Sequence, residues 1–154
     1  MYSVTASIDI DAAPESVFDT LSNLTDWPDM IEDIVSIELL TDGPVGVGTT
    51  FRETRVLFGK EATEKMSFET FDRPESYRLT ARSGGSHYLT TTSFEPIPSG
   101  TRMQIHFWAR PEKMAAWLLL PIALAMQGML RKCLEKDLAC IKAAIEGRST
   151  SDPA

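Results

Sequence analysis

From Met114 to Leu130 the chain runs for seventeen residues, MAAWLLLPIALAMQGML, without a charge. The stretch after it, Arg131 to Glu146, is amphipathic, and the two together read as one long helical pattern from Glu112 to Gly147. A helix that is apolar nearly all round has to be enclosed on most sides or lie in lipid. The rest of the chain offers mostly short alternating segments, so a sheet is what can enclose it. A bent sheet gripping a helix is the expected arrangement, and such a grip leaves room for an apolar cavity. A membrane span needs about 20 apolar residues. This segment is shorter and is interrupted by Pro121, Gln127 and Gly128, with only Arg110 and Lys113 as basic residues before it. A buried helix is therefore expected in place of a membrane segment.

The length of 154 residues suits one domain with a real core, assigned to residues 1–147, with a frayed tail over 148–154. The net charge of −7 comes with no Lys/Arg cluster. Phosphate neutralisation dominates nucleic-acid affinity, so the acidity argues against DNA or RNA, and equally against an anionic membrane surface. Cys133 and Cys140 are seven apart on the expected helix. At about 1.5 Å per residue their backbones stand roughly 10 Å apart, too far for a disulfide. Reduced, buried thiols and a cytoplasmic location follow as expectations. The N-terminus lacks the basic start and apolar run of a signal peptide.

Residues 2–10 alternate, with Val4, Ala6, Ile8 and Ile10 on one face, which is the pattern of a half-buried strand. Pro14 opens a helical segment whose apolar residues are Val17, Phe18 and Leu21, and a short turn of helix is expected around Pro28 to Glu32. Ile34–Leu40 reads as a strand. The glycine-rich run 42–48 lacks the Lys-Ser/Thr ending of a phosphate loop and reads as a turn. Five more strand-length segments follow at Thr50–Phe58, Glu61–Phe71, Ser76–Arg82, His87–Glu95 and Thr101–Arg110. Short connections between them favour antiparallel hairpins. Seven strands, small helices between the first two and a long terminal helix make an α+β domain.

This order resembles the START/Bet v 1-like superfamily, and within it the polyketide cyclase/dehydrase branch. The resemblance is carried by Ile8-Asp-Ile-Asp-Ala-Ala-Pro-Glu-Ser-Val-Phe18, Leu24-Thr-Asp-Trp-Pro28 and Gly46-Val-Gly-Thr-Thr-Phe51. It continues in Phe71-Asp-Arg-Pro74, Phe94-Glu-Pro96, Gly100-Thr-Arg-Met103 and Asp137-Leu-Ala-Cys-Ile-Lys142, covering about residues 2–147. It implies a helix-grip fold: a curved, seven-stranded antiparallel sheet wrapped around the C-terminal helix, with a cavity between them. It brings no shared catalytic motif.

Period-two arithmetic assigns faces, since one buried face fixes strand register. Met103, Ile105, Phe107 and Ala109 point in, which turns His106 and Trp108 out. Phe94 sets Tyr88, Thr90 and Thr92 inside and His87 outside. Tyr77, Leu79 and Ala81 face in. Phe51 brings Glu53, Arg55 and Leu57 to its side, and Met66 and Phe68 bring Ala62, Glu64 and Thr70. Glu53, Arg55 and Glu64 either form a paired polar group inside the cavity, able to orient a ligand head, or project past the helix into solvent. Trp27 either caps one end of the cavity or packs in the core. Trp117 and Met126, on the helix, complete the expected ligand-contacting set. Pro121 should kink the helix near residues 117–121, where a kink could gate the cavity.

No metal-ligand spacing, nucleophilic triad or cofactor motif stands in the sequence, so no metal and no cofactor are expected. The leading expectation is a module binding a small, mainly hydrophobic molecule, such as a lipid, polyketide or isoprenoid. The alternative is an enzyme of the cyclase/dehydratase type in which Glu53, Glu64 or Tyr88 moves protons on a bound aromatic or polyketide-like substrate. In a third reading the apolar Trp117–Met129 surface forms a homodimer or meets a membrane.

Overall fold

The computed structural model describes the backbone of residues 1–151 and the side chains of residues 1–147. The tail expected from Arg148 onward lies outside the residues whose side chains are described. Seven strands form one antiparallel sheet: β1 (Tyr2–Ile10), β2 (Ile34–Leu39), β3 (Thr50–Leu57), β4 (Lys60–Asp72), β5 (Ser76–Ser83), β6 (Ser86–Ile97) and β7 (Gly100–Pro111). Their spatial order is β1-β7-β6-β5-β4-β3-β2, so β2 to β7 are a run of neighbours and β1 closes on the last strand. The sheet is curved, and bulges between Ile34 and Ser36 and between Phe68 and Thr70 help it bend.

The second bulge corrects one face assignment. Phe71 pairs with Tyr77 and Thr70 with Arg78, so Phe71 shares the inner face and Thr70 is turned out. Strict alternation cannot anticipate that slip, because a bulge adds one residue to one strand only.

Between β1 and β2 the chain folds α1 (Pro14–Ser22), a 3-10 turn (Leu24–Asp26) and α2 (Trp27–Met30). Pro14 occupies the first turn of α1, where its missing N–H costs nothing. Val17, Phe18 and Leu21 are fully buried. Phe18 stands edge-on to Phe71 and Phe94 at 5.0 and 5.5 Å between ring centres. This packing plugs one end of the sheet with aromatic rings and places Trp27 beside it, its Nε1 donating to the Leu21 carbonyl at 3.0 Å.

The terminal helix differs from expectation in two ways. It is two helices, α3 (Met114–Ala125) and α4 (Gln127–Ser151), with a bend of 70° between them. The break is at Met126, where one N–H is shared between the carbonyls of Ile122 and Ala123 at 3.1 Å each. Pro121, the expected site, sits inside α3. The helix there is open to water, which can hydrate a carbonyl that proline leaves without its usual donor.

The gripped helix is also the other half. Leu134, Leu138, Ile141 and Ile145 of amphipathic α4 are buried against the sheet, each contributing roughly 1.5–3 kcal/mol of burial. The wholly apolar α3 lies outside, with only Ala116 buried. A stripe at 3–4-residue spacing fits one concave face, whereas α3 carries more apolar surface than this sheet can cover.

Candidate functional site

Between the concave face and α4 lies a cavity of about 430 Å³, within the usual range of roughly 300–1,000 Å³ for small-molecule sites. Its wall is mainly apolar. The sheet contributes Met66, Leu79, Ala81, Met103, Ile105 and Phe107, and α4 contributes Leu130, Leu134 and Ile141. Ala123 and Met126, at the bend, close one side, and the exposed Phe58 on the β3–β4 turn stands at the rim.

The polar groups gather at one place. Glu53, Arg55 and Glu64 all line the cavity, on the paired strands β3 and β4. Arg55 Nε donates to Glu53 Oε1 at 2.7 Å, and Arg55 Nη1 donates to Asp137 Oδ2 of α4 at 2.9 Å. Glu53 and Asp137 are each only 6% exposed. Burial raises the Glu53 pKa above its ordinary value, and the Arg55 charge only partly offsets this. Burial likewise raises Asp137, again against the pull of Arg55. Glu64, directly opposite Glu53 in the ladder, adds like-charge repulsion. Asp137 Oδ1 is buried without a hydrogen-bond partner among the described residues. It is an enclosed acceptor with nothing donating to it, a costly state that adds to the burial penalty on this carboxyl.

Other polar atoms face the same space. The Tyr77 hydroxyl, hydrogen-bonded with Thr92, is pushed up to about 12 by burial. Tyr88 and Thr90 line the β6 side. The half-buried Cys133 thiol is also on the wall, raised first by burial and then by the charges of Asp137 and Asp33. Arg55 takes the position a cation would need among these carboxylates. Among the described residues no group of three or more His, Cys, Asp or Glu side chains could hold a metal ion. The histidines lie elsewhere: His87 Nε2 is 2.8 Å from Thr80 Oγ1, and His106 Nδ1 is 2.8 Å from Thr5 Oγ1. His106 and Trp108 border a shallow dip apart from the cavity.

Of the expected ligand-contacting set, the cavity brings together Trp27, Glu53, Arg55, Glu64, Met66, Tyr77, Leu79, Tyr88, Met103, Phe107 and Met126. Phe51, Phe68 and Phe94 do not line it. They face inward as their strand parity requires, but belong to the aromatic core, Phe51 against Trp27 at 5.7 Å and Phe68 against Phe71 at 5.4 Å. Trp117 does not line it either: it is 52% exposed on α3. Among the wall residues outside the expected set are Cys133 and Asp137. Asp137 interrupts the apolar α4 series Leu130, Leu134, Leu138, Ile141 with a carboxylate, and that signal was open to a helical-face reading.

Comparison with known proteins follows the same lines. No curated protein matches the chain in sequence. Among solved structures, an aromatase/cyclase from a Streptomyces species superposes with a TM-score of 0.78 at 14% identity, covering 97% of this chain and 96% of that one. A Thermus thermophilus protein gives 0.70 at 22% identity, covering 93% and 99%. A di-domain aromatase/cyclase from the steffimycin biosynthetic pathway gives 0.76 at 15%, covering 96% of this chain and 52% of its own. At these identities the likeness is one of fold. The family model described as polyketide cyclase / dehydrase and lipid transport matches residues 1–146, and the chain belongs to that family.

Proposed function

We propose that the protein binds a small, mainly apolar molecule carrying a hydrogen-bond donor, such as a phenol or alcohol. The apolar body lies along Met66, Leu79, Met103 and Phe107, and the donor meets the carboxylates gathered around Arg55. The observation that carries this is a mainly apolar cavity of about 430 Å³ whose charged groups, Glu53, Arg55 and Asp137, gather at one place on its wall. Native mass spectrometry of the purified protein, with fluorescence titration by anilinonaphthalene sulfonate and displacement by aromatic alcohols, tests it. Bound mass or displacement is expected, and Ala81→Trp, which narrows the cavity, should weaken both. Equal binding by the narrowed variant would overturn the reading.

A second reading is cyclase-type chemistry, supported by buried carboxylates whose pKa values are raised toward neutrality. In it the cavity holds a poly-β-ketone folded, and Glu53 or Asp137 exchanges a proton with it. The product distribution from a poly-β-ketone analogue should shift relative to the uncatalysed reaction. Unchanged turnover in both Glu53→Gln and Asp137→Asn would remove this chemistry.

A further inference from the structure

Helix α3 exposes apolar side chains to a degree the cavity does not explain. Leu118 is 75% and Ile122 57% exposed, with Trp117, Leu119 and Leu124 also open. At about 100° per residue these positions spread over more than half of the helix circumference. No charge interrupts residues 114–130, while Arg110 and Lys113 stand just before α3 and Arg131 and Lys132 just after its bend. All four cations are exposed, and none joins an ion pair among the described residues. The nearest acids along the chain are Glu112, held by Arg82, and Glu135, further along α4.

We propose that α3 is a docking helix for an anionic lipid surface, its apolar faces entering the headgroup boundary and the flanking cations meeting the lipid charge. α3 lacks the polar face of an amphipathic surface helix, but its uninterrupted apolar surface, its tryptophan and the basic residues at both ends are features of a segment that contacts a bilayer. The four unpaired cations give the ends of α3 a local positive charge complementary to anionic headgroups, against the net acidity of the whole chain, which by itself disfavours such a surface. A second copy fits less well, because a two-fold interface sets a patch against itself and would bring these cations toward their own counterparts. A protein groove would cover one face of α3 and leave the others wet. Docking also brings the lipid against the bend, where Ala123 and Met126 close one side of the cavity.

The test is co-sedimentation of the full chain with vesicles of phosphatidylcholine alone and of phosphatidylcholine mixed with phosphatidylglycerol. Binding to the mixed vesicles should be at least ~10-fold stronger and should fall with added salt. Ile122→Glu should weaken it at least ~10-fold with thermal unfolding unchanged, because that side chain is exposed. Lys113→Gln with Arg131→Gln should weaken it on mixed vesicles only. Absence of binding to the mixed vesicles overturns the proposal. So does a dimer in sedimentation velocity that Ile122→Glu disperses while vesicles remain unbound. Vesicle binding does not require an occupied cavity, so this proposal and the ligand reading fail separately.

Discussion

Arg55 of β3 reaches Asp137 of α4, Nη1 to Oδ2 at 2.9 Å, and so ties the gripped helix to the sheet across 82 residues of sequence. The same guanidinium holds Glu53, so one cation answers two buried carboxylates. Two consequences of this arrangement can be measured.

Removing the cation should be expensive. Arg55→Met leaves Glu53 and Asp137 buried without their counter-charge, a loss of about 3–5 kcal/mol in urea unfolding. Adding Glu53→Gln and Asp137→Asn to the same chain should recover most of it. A loss under ~1 kcal/mol for Arg55→Met would mean that the carboxylates are hydrated rather than enclosed.

The sign of the pH dependence is fixed by burial. Glu53 titrates above its ordinary 4.5. A carboxyl whose folded pKa is raised favours folding while protonated. That contribution is complete below the unfolded value and is lost as pH rises through the folded one. Glu53→Gln removes the titration, so the melting temperature of the variant minus that of the native chain should increase as pH rises from 4.5. A difference that shrinks with pH would mean that Arg55 outweighs burial.

Gly100, at the β6–β7 turn, has φ +142°, and a Cβ there would stand 2.3 Å from the Ile10 carbonyl oxygen. Gly100→Ala should cost about 2 kcal/mol or more by chemical denaturation. An unchanged midpoint would mean that the β1 end yields freely.

Cys133 lies on the cavity wall and Cys140 does not, so the second thiol is an internal reference. Alkylation of Cys133 should be slow, because burial raises its pKa. It should slow by a further ~10-fold when an aromatic alcohol saturates the cavity, with Cys140 unaffected. Mass spectrometry of the labelled peptides reads both rates. Equal protection of the two thiols would indicate a general tightening of α4 instead of occupancy.

Much of the architecture was legible because alternation in strands is a local signal. The Val4–Ala6–Ile10 face, the Met103–Ile105–Ala109 face and the short antiparallel connections all follow from a period of two. Inward-facing Tyr77 and Tyr88 were readable for the same reason. What period cannot give is depth along a strand. Phe51 and Phe94 point inward like Glu53 and Tyr88, yet they meet the α1–α2 plug instead of open space, and nothing local states where the plug ends. Nor did hydropathy identify the gripped helix. Apolarity drew attention to α3, whereas the concave face needed the narrower stripe of α4, and Asp137 within it stands in the sequence as part of a family pattern and not as a cavity residue.

The pairing of β1 with β7 has a consequence for synthesis. Tyr2 faces Ala109 and Ile10 faces Thr101, so the first strand made must wait for almost the last before it has a neighbour. A nascent chain that has reached only β6 carries two open edges, and the cavity has neither its β7 wall nor its helix. Such non-local closure is slow: until β7 and α4 are in place the strands form a ribbon with a greasy inner surface, and the final third of the chain turns that ribbon into a container.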